Sequence, residues 1–373
     1  MKILIMEHLT SSPGRSVPED LIAEGRAMRD AVVDDLLAIT GTRVVLFGRR
    51  EHAVRSRPRL HQVVSGPHRN ARFRSLVREV DAVLVIAPEG NGLLARLCRI
   101  VEEEGRLLLG PSAASVRLAT DKWRLHGILR AAGLATPGTD LLRRDLAAAA
   151  LRRRPRPFVL KPRDGFGGLG VTIVRRADRL GPALAAVGKV TRGRDLLCQQ
   201  FVPGEPASVS VLVACNESTG SIRVVPLGLN RQHLTGISRP VYTGGEAGWS
   251  HPMAGAAIRM AVKAVEALAR AAPGCRGYLG VDLILGPAGP RILEINPRIT
   301  TSYIGIRWVV TRNPAALILD ACRARRLPLA IAISGRCRFL SGGAVTVVRK
   351  GGDRLRRVHP CQSSTAGTSA ASI

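Results

Sequence analysis

Short apolar runs at 2–6 (KILIM), 43–47 (RVVLF), 82–87 (AVLVIA) and 106–110 (RLLLG) alternate with amphipathic stretches around 19–39 and 91–104. That β-α alternation predicts a small parallel sheet with helices on both faces. Ligands of such sheets gather at the carboxyl ends of the strands, which makes the turn Pro88-Glu89-Gly90-Asn91-Gly92 a candidate ligand edge. A plain strand-to-helix turn, with glycines for positive φ, explains the same residues. Thr120-Asp121 then cap a helix that runs to Ala132 and stops at Gly133, with Pro137 just beyond.

After an Arg- and Pro-rich stretch at 152–157 the pattern turns β-rich, with strands expected at 158–161, 171–174, 196–202, 207–214 and 222–229. An amphipathic helix at 252–271 follows, then a hairpin of 278–285 and 291–295. Beyond 305 the signals weaken to a helix at 313–324 and a strand at 343–348, and the last dozen residues, rich in Ser, Thr, Ala and Gly, are expected to be disordered.

At 373 residues the chain has room for two or three domains. Its seven cysteines (98, 198, 215, 275, 322, 337, 361) form no C-x-x-C pair, which fits a reducing compartment. The opening MKILIM lacks the length of a signal peptide, and the longest uncharged apolar stretches, such as 327–333, fall far below the roughly 20 residues of a membrane helix. A soluble cytoplasmic protein without a membrane partner is expected. The net charge of +28 raises the question of a nucleic-acid partner, but the basic residues are spread along the chain and aromatics make up only 3%, so no stacking surface for bases is evident. Only six of the 56 basic residues are lysines, so the positions of Lys122 and Lys161 are informative.

Lys161 ends a strand and precedes a loop holding Gly165, Gly167, Gly168 and Gly170. Backbone N–H groups in such a loop approach phosphate oxygens closely, and the ammonium adds a compact charge. The Walker order is absent, and a strand follows rather than a helix. A flexible turn is the plain alternative. Lys122 opens the capped helix. In the hairpin, Asp282 stands on one strand and Glu294 and Asn296 at i and i+2 on the other, so all three share a face. Carboxylates among Val, Leu and Ile are costly to bury alone, and this oxygen set suits Mg2+ (or Mn2+) bound with substrate phosphates. Arg298, a further step of two, projects the same way if the strand continues; a salt bridge of Glu294 to Arg298 or Arg291 is the competing reading.

At these residues the chain resembles the ATP-grasp superfamily over roughly 1–305, through DKW at 121–123, GLATP at 133–137, LKPRDGFGGLG at 160–170, QQFVPGE at 199–205, GVDLIL at 280–285 and EINPR at 294–298. The resemblance implies an α/β protein, α+β in its ATP-binding part. It divides into an N-terminal Rossmann-like domain at 1–115, a lid with the glycine flap at 116–205, a catalytic part with the metal site at 206–305 and an extension at 306–373. It further implies that Lys122 and Lys161 contact ATP phosphates under the flap, with Lys161 and Arg298 acting at the reacting phosphate. Gln199, Gln200, Phe201 and Val202 would border adenine. Asp282, Glu294 and Asn296 would hold magnesium.

Two departures appear. Gln200 stands where the family often has glutamate, and the ribose carboxylate would be Glu205, displaced by Pro206. A closer likeness is to the archaeal tyramine-glutamate ligases of methanofuran biosynthesis and their bacterial relatives, through MEH at 6–8, EGRAM at 24–28, IAPEGNG at 86–92, LGLNRQ at 227–232, YTGG at 242–245 and EINPRITT at 294–301. It suggests that Asn230, Arg231, Gln232, Gly244, Gly245 and Thr300 or Thr301 line the acceptor side. The implied reaction joins a small-molecule carboxylate to an amine through an acylphosphate. Peptide-type ligation, carboxylation and a non-catalytic nucleotide-binding module share the same ATP residues. The oligomeric state, a homo-oligomer included, is not fixed by the sequence.

Overall fold

The computed structural model describes residues 1–12, 17–143, 147–191, 195–216, 218–348 and the backbone of a strand at 356–358. Strands β1 (Lys2–Glu7), β2 (Arg43–Gly48), β3 (Leu60–Val64), β4 (Ala82–Ile86) and β5 (Leu107–Leu108) form a parallel sheet in the order β3-β2-β1-β4-β5. Ile3, Ile5, Val44 and Leu46 face the helix Glu19–Leu37, and Leu4, Met6, Val45 and Phe47 face the helices Arg69–Arg78 and Leu93–Glu103. Burial on both faces makes the central strands apolar throughout, which is why they were legible. The edge strand β3 and the helix Arg69–Arg78 were not anticipated. The first is only partly buried, and the second buries just Phe73, Leu76 and Val77.

A small antiparallel sheet in the order β6-β9-β7-β8 is built from β6 (Thr139–Leu142), β7 (Phe158–Pro162), β8 (Thr172–Val174) and β9 (Leu196–Gln200). Its own core packs against the helices Ala147–Arg152 and Leu180–Thr191. The largest sheet has eight strands: β10 (Glu205–Asn216), β11 (Ser221–Thr235), β12 (Val241–Ala247), β13 (Gly277–Gly286), β14 (Gly289–Asn296), β15 (Arg336–Leu340), β16 (Val345–Val348) and β17 (Arg356–Val358). Their order is β14-β13-β10-β11-β12-β15-β16-β17. One face packs under the helix Ala254–Ala271, with Ala119, Leu125 and Leu129 from the helices Ala113–Thr120 and Lys122–Ala131. The other contributes Leu212, Leu227, Ala247 and Tyr278 to a core continuous with Ile3, Ile5 and the helix Glu19–Leu37.

The helices Ala113–Thr120 and Lys122–Ala131 pack with the large sheet's core, while the β6–β9 sheet has a core of its own. Beyond residue 302, β15 pairs with β12, and Tyr303, Ile306, Leu317, Ile318 and Phe339 belong to the central core. The expected helix at 313–324 is an α-helix Pro314–Leu319 followed by a π turn, Asp320–Ala324, that ends at Arg325 with φ of 53°. The last dozen residues lie outside the described residues. Cysteines 98, 198, 215, 275, 322 and 337 are buried free thiols, and Cys361 lies outside the described residues. Among the described residues no helix is long and apolar enough to cross a membrane.

Candidate active site

The hairpin β13–β14 places Asp282 opposite Glu294 and Gly280 opposite Asn296, with a register shift just after Asp282. Asp282 accepts hydrogen bonds from Gln232 Nε2 and Asn296 Nδ2, both at 2.9 Å. Burial, then the charge of Glu294, pushes the Asp282 carboxyl up to about 7. Burial alone would raise Glu294 too, but the ammonium groups of Lys122 and then Lys161 outweigh it and hold Glu294 below its ordinary value. Lys122 Nζ lies 3.2 Å from Glu294 Oε2 and donates to the carbonyl of Gly165 at 3.1 Å.

Lys122 stands there because Asp121 caps its helix, accepting from the N–H groups of Trp123 and Arg124. Asp121 also pairs with Arg163 at 2.6 Å, and Lys122 N donates to Arg163 O, which ties this helix to the end of β7. Lys161, on β7, is 5% exposed and donates to Gln199 Oε1 at 3.0 Å, while Gln199 Nε2 donates to Thr139 Oγ1 at 2.9 Å. Burial pulls its ammonium down to about 8. Lys122 thus contacts Glu294, and Lys161 lies in the field of the same carboxylate, carried by the helix at 122 and the strand at 161.

The loop between β7 and β8 leans over this pair. Gly167, Gly168 and Gly170 have φ of 57°, 70° and 78°, a left-handed run that only glycine adopts without strain. The loop is docked. Asn91 N donates to Asp164 Oδ2 at 2.9 Å, and Ile173 N donates to Ser238 O at 2.8 Å, so it bridges the 88–92 turn and the β11–β12 connection.

Arg298 pairs with Glu89 and not with Glu294. Its Nε and Nη2 contact the two oxygens of Glu89 at 2.7 and 3.2 Å, and Nη1 donates to Ile299 O. The 88–92 turn thus reaches Arg298 through Glu89, which the sequence marked only as part of a turn. The competing salt bridge of Glu294 is replaced by the one to Lys122.

Asn230, Gln232, Thr300 and Thr301 lie along the same face as Asp282: Asn230 Nδ2 donates to Ser208 and Ser210, and Thr300 Oγ1 meets Tyr278 OH at 2.9 Å. Arg231, expected on the acceptor side, falls elsewhere. Arg231 alternates to the opposite face, where it pairs with Glu205 at 3.0 Å and lies over the ring of Trp249. Glu205, the expected ribose carboxylate, also faces His251 at 3.4 Å. Gly244 and Gly245 are set by sheet packing: a Cβ at Gly244 would sit 2.2 Å from Phe339 O, and one at Gly245 would sit 2.3 Å from Arg231 O. Of the expected adenine border, Gln199 turns inward to Lys161, Gln200 is exposed while its N–H bonds Gly138 O, Phe201 lies under Arg175 at 4.9 Å, and Val202 is half-buried.

A model of the ATP-grasp domain matches residues 119–302, and one of the pre-ATP-grasp domain matches 45–116. The chain belongs to the ATP-grasp superfamily. Its α/β architecture, with a parallel N-terminal sheet and antiparallel sheets around the site, is shared with an Archaeoglobus fulgidus protein assigned to that superfamily, at a TM-score of 0.64 over 91% of this chain and 92% of that one with 24% identity. In sequence this ATP-grasp chain is 29% identical to the tyramine–L-glutamate ligase of Methanocaldococcus jannaschii over 238 residues, 63% of this chain and 62% of that enzyme. It is also 29% identical to the D-alanine–D-alanine ligase of Anaeromyxobacter dehalogenans over 194 residues, 50% of this chain and 59% of that enzyme. The chain thus spans less than two thirds of either relative's length.

Proposed function

We propose that this protein is an ADP-forming ligase that uses Mg-ATP to phosphorylate a small carboxylate and then joins the acyl group to an amine. One observation carries the reading: Lys122 and Lys161 converge on Glu294 beside Asp282, beneath a docked glycine loop. Two cations beside two carboxylates suit a triphosphate with its metals.

The donor set fits magnesium. Among the described residues no three His, Cys, Asp or Glu side chains converge, so the set is two carboxylates completed by an amide, all hard oxygen donors. A divalent ion there would relieve the repulsion that raises Asp282. Asn296 engages Asp282 through its amide nitrogen and would serve a metal through the oxygen of the same amide. When bound, the metal neutralises charge on the phosphates. The chain's own groups do the rest. Lys122 and Lys161 hold the phosphates, and Gly165 to Gly170 supply backbone N–H groups and shut out water. Residues 199–202 border adenine. Arg298, fixed by Glu89, faces the transferring phosphoryl group, and Asn230, Gln232, Thr300 and Thr301 line the substrate side. The carboxylate attacks the γ-phosphate in line, giving an acylphosphate and ADP, and the amine displaces phosphate.

The test is purified protein with Mg-ATP, L-glutamate and tyramine, extended to other amino acids and amines, with ADP, AMP and amide quantified. Amine-dependent ADP and amide in equal amounts support the reading. AMP with pyrophosphate would replace the acylphosphate step by adenylation, and bicarbonate-dependent ADP release without amide would favour carboxylation.

A further inference from the structure

Beyond the metal carboxylates the cleft has a polar wall. Tyr278 OH meets Ser210 Oγ at 2.8 Å, Asn230 Nδ2 meets Ser210 and Ser208 at 3.1 and 3.3 Å, and Ser208 meets Ser302 at 3.3 Å. Asn230 is fully buried, and its Oδ1 has no hydrogen-bond partner. Next to Ser302, the Thr301 hydroxyl donates to the carboxylate of Glu24 on the helix Glu19–Leu37.

The charges around Glu24 are each matched except its own. Arg298 is held by both oxygens of Glu89, Glu294 by Lys122 and Lys161, and Asp282 by two amide donors. Among the described residues no cation is in ion-pair distance of Glu24, and it is partly open to the cleft. Burial raises its pKa, and Glu89 adds to that while Arg298 opposes it. Burial raises the phenol of Tyr242, and the charges of Glu24 and then Asp282 add to it. A part-buried carboxylate with a hydroxyl as its hydrogen-bond partner and no cation in ion-pair distance is a site for a cationic ligand.

We propose that Glu24 receives the protonated amine of the acceptor substrate and takes the proton which that nitrogen loses on attacking the acylphosphate. The inference rests on the ligase reading. The ammonium gives one proton to Glu24, its lone pair forms the C–N bond, and the C–O bond to phosphate breaks with its electrons on the phosphate, which carries off the second proton. Glu24 so selects a primary amine that arrives charged.

The experiment compares wild type with Glu24→Gln, using L-glutamate and then other amino acids as the carboxylate. The nucleophile is either tyramine, which arrives as an ammonium, or hydroxylamine, which is uncharged in mildly basic solution and traps the acylphosphate as a hydroxamate. The expected result is a loss on the order of a hundredfold in kcat/KM for amide formation, with hydroxamate formation within about threefold of wild type, and partial return of amide formation in Glu24→Asp. Parallel loss of both products would overturn the proposal, because Glu24 would then serve the carboxylate donor or the fold. Unchanged amide formation would overturn it as well. Wild-type protein that makes neither product from any pair removes the ligase reading, and this inference with it.

Discussion

Lys161 carries its ammonium in a site 5% open to solvent, with an amide oxygen as its hydrogen-bond partner, and burial brings it down to about 8 from the ordinary 10.5. Between those two values the unfolded chain keeps a proton that the folded one has released. The stability of the nucleotide-free protein should therefore rise with pH across that window, and below it the penalty is present in full. Lys161→Met should raise stability by roughly 1–3 kcal/mol at neutral pH and erase that slope, while nucleotide binding falls sharply. Denaturant melts over a pH series, with nucleotide titrations alongside, check both. Glu294→Gln keeps the shape of the site but removes the charge that Lys122 and Lys161 face. Turnover should fall on the order of a thousandfold with the melting temperature close to wild type. Near-normal rates would exclude Glu294 from the metal site.

The elements act through how they are tied. The glycine loop is held at Asp164 by the N–H of Asn91 and at Ile173 by the carbonyl of Ser238. A loop that closes over an acylphosphate keeps water from it. Asp164→Ala should loosen the closure, so that ADP release outruns amide formation while wild type makes them one for one. The ratio of the two products is the readout. Gly170, with φ of 78° and a would-be Cβ 2.9 Å from Pro162 Cγ, is the loop position least able to carry a side chain. Gly170→Ala should cost about 1–2 kcal/mol and raise KM for ATP.

The whole molecule is held by a core that runs from the parallel sheet through the helix Glu19–Leu37 to the helices and strands after residue 303. Phe339 of β15 packs onto Gly305 and Ala247, so Phe339→Ala should cost about 3–5 kcal/mol in a denaturant melt, and removal of 306–373 should leave no cooperative unfolding. The sequence resolved what local chemistry repeats or confines: the buried parallel strands, the β13–β14 hairpin, the glycine loop, and oxygen ligands at i and i+2 beside Asp282. Alternation along a strand is a local rule, so the shared face of Glu294 and Asn296 needed no tertiary information. Partnership across elements is not local. The pairing of Arg298 with Glu89, the approach of Glu24 to Thr301, the turn of Gln199 toward Lys161 and the pairing of Arg231 with Glu205 all depend on which segments the shared core brings together. The weak patterns after residue 305 were opaque for the same reason, since those strands bury against β12 and the N-terminal helix and draw little on signals of their own.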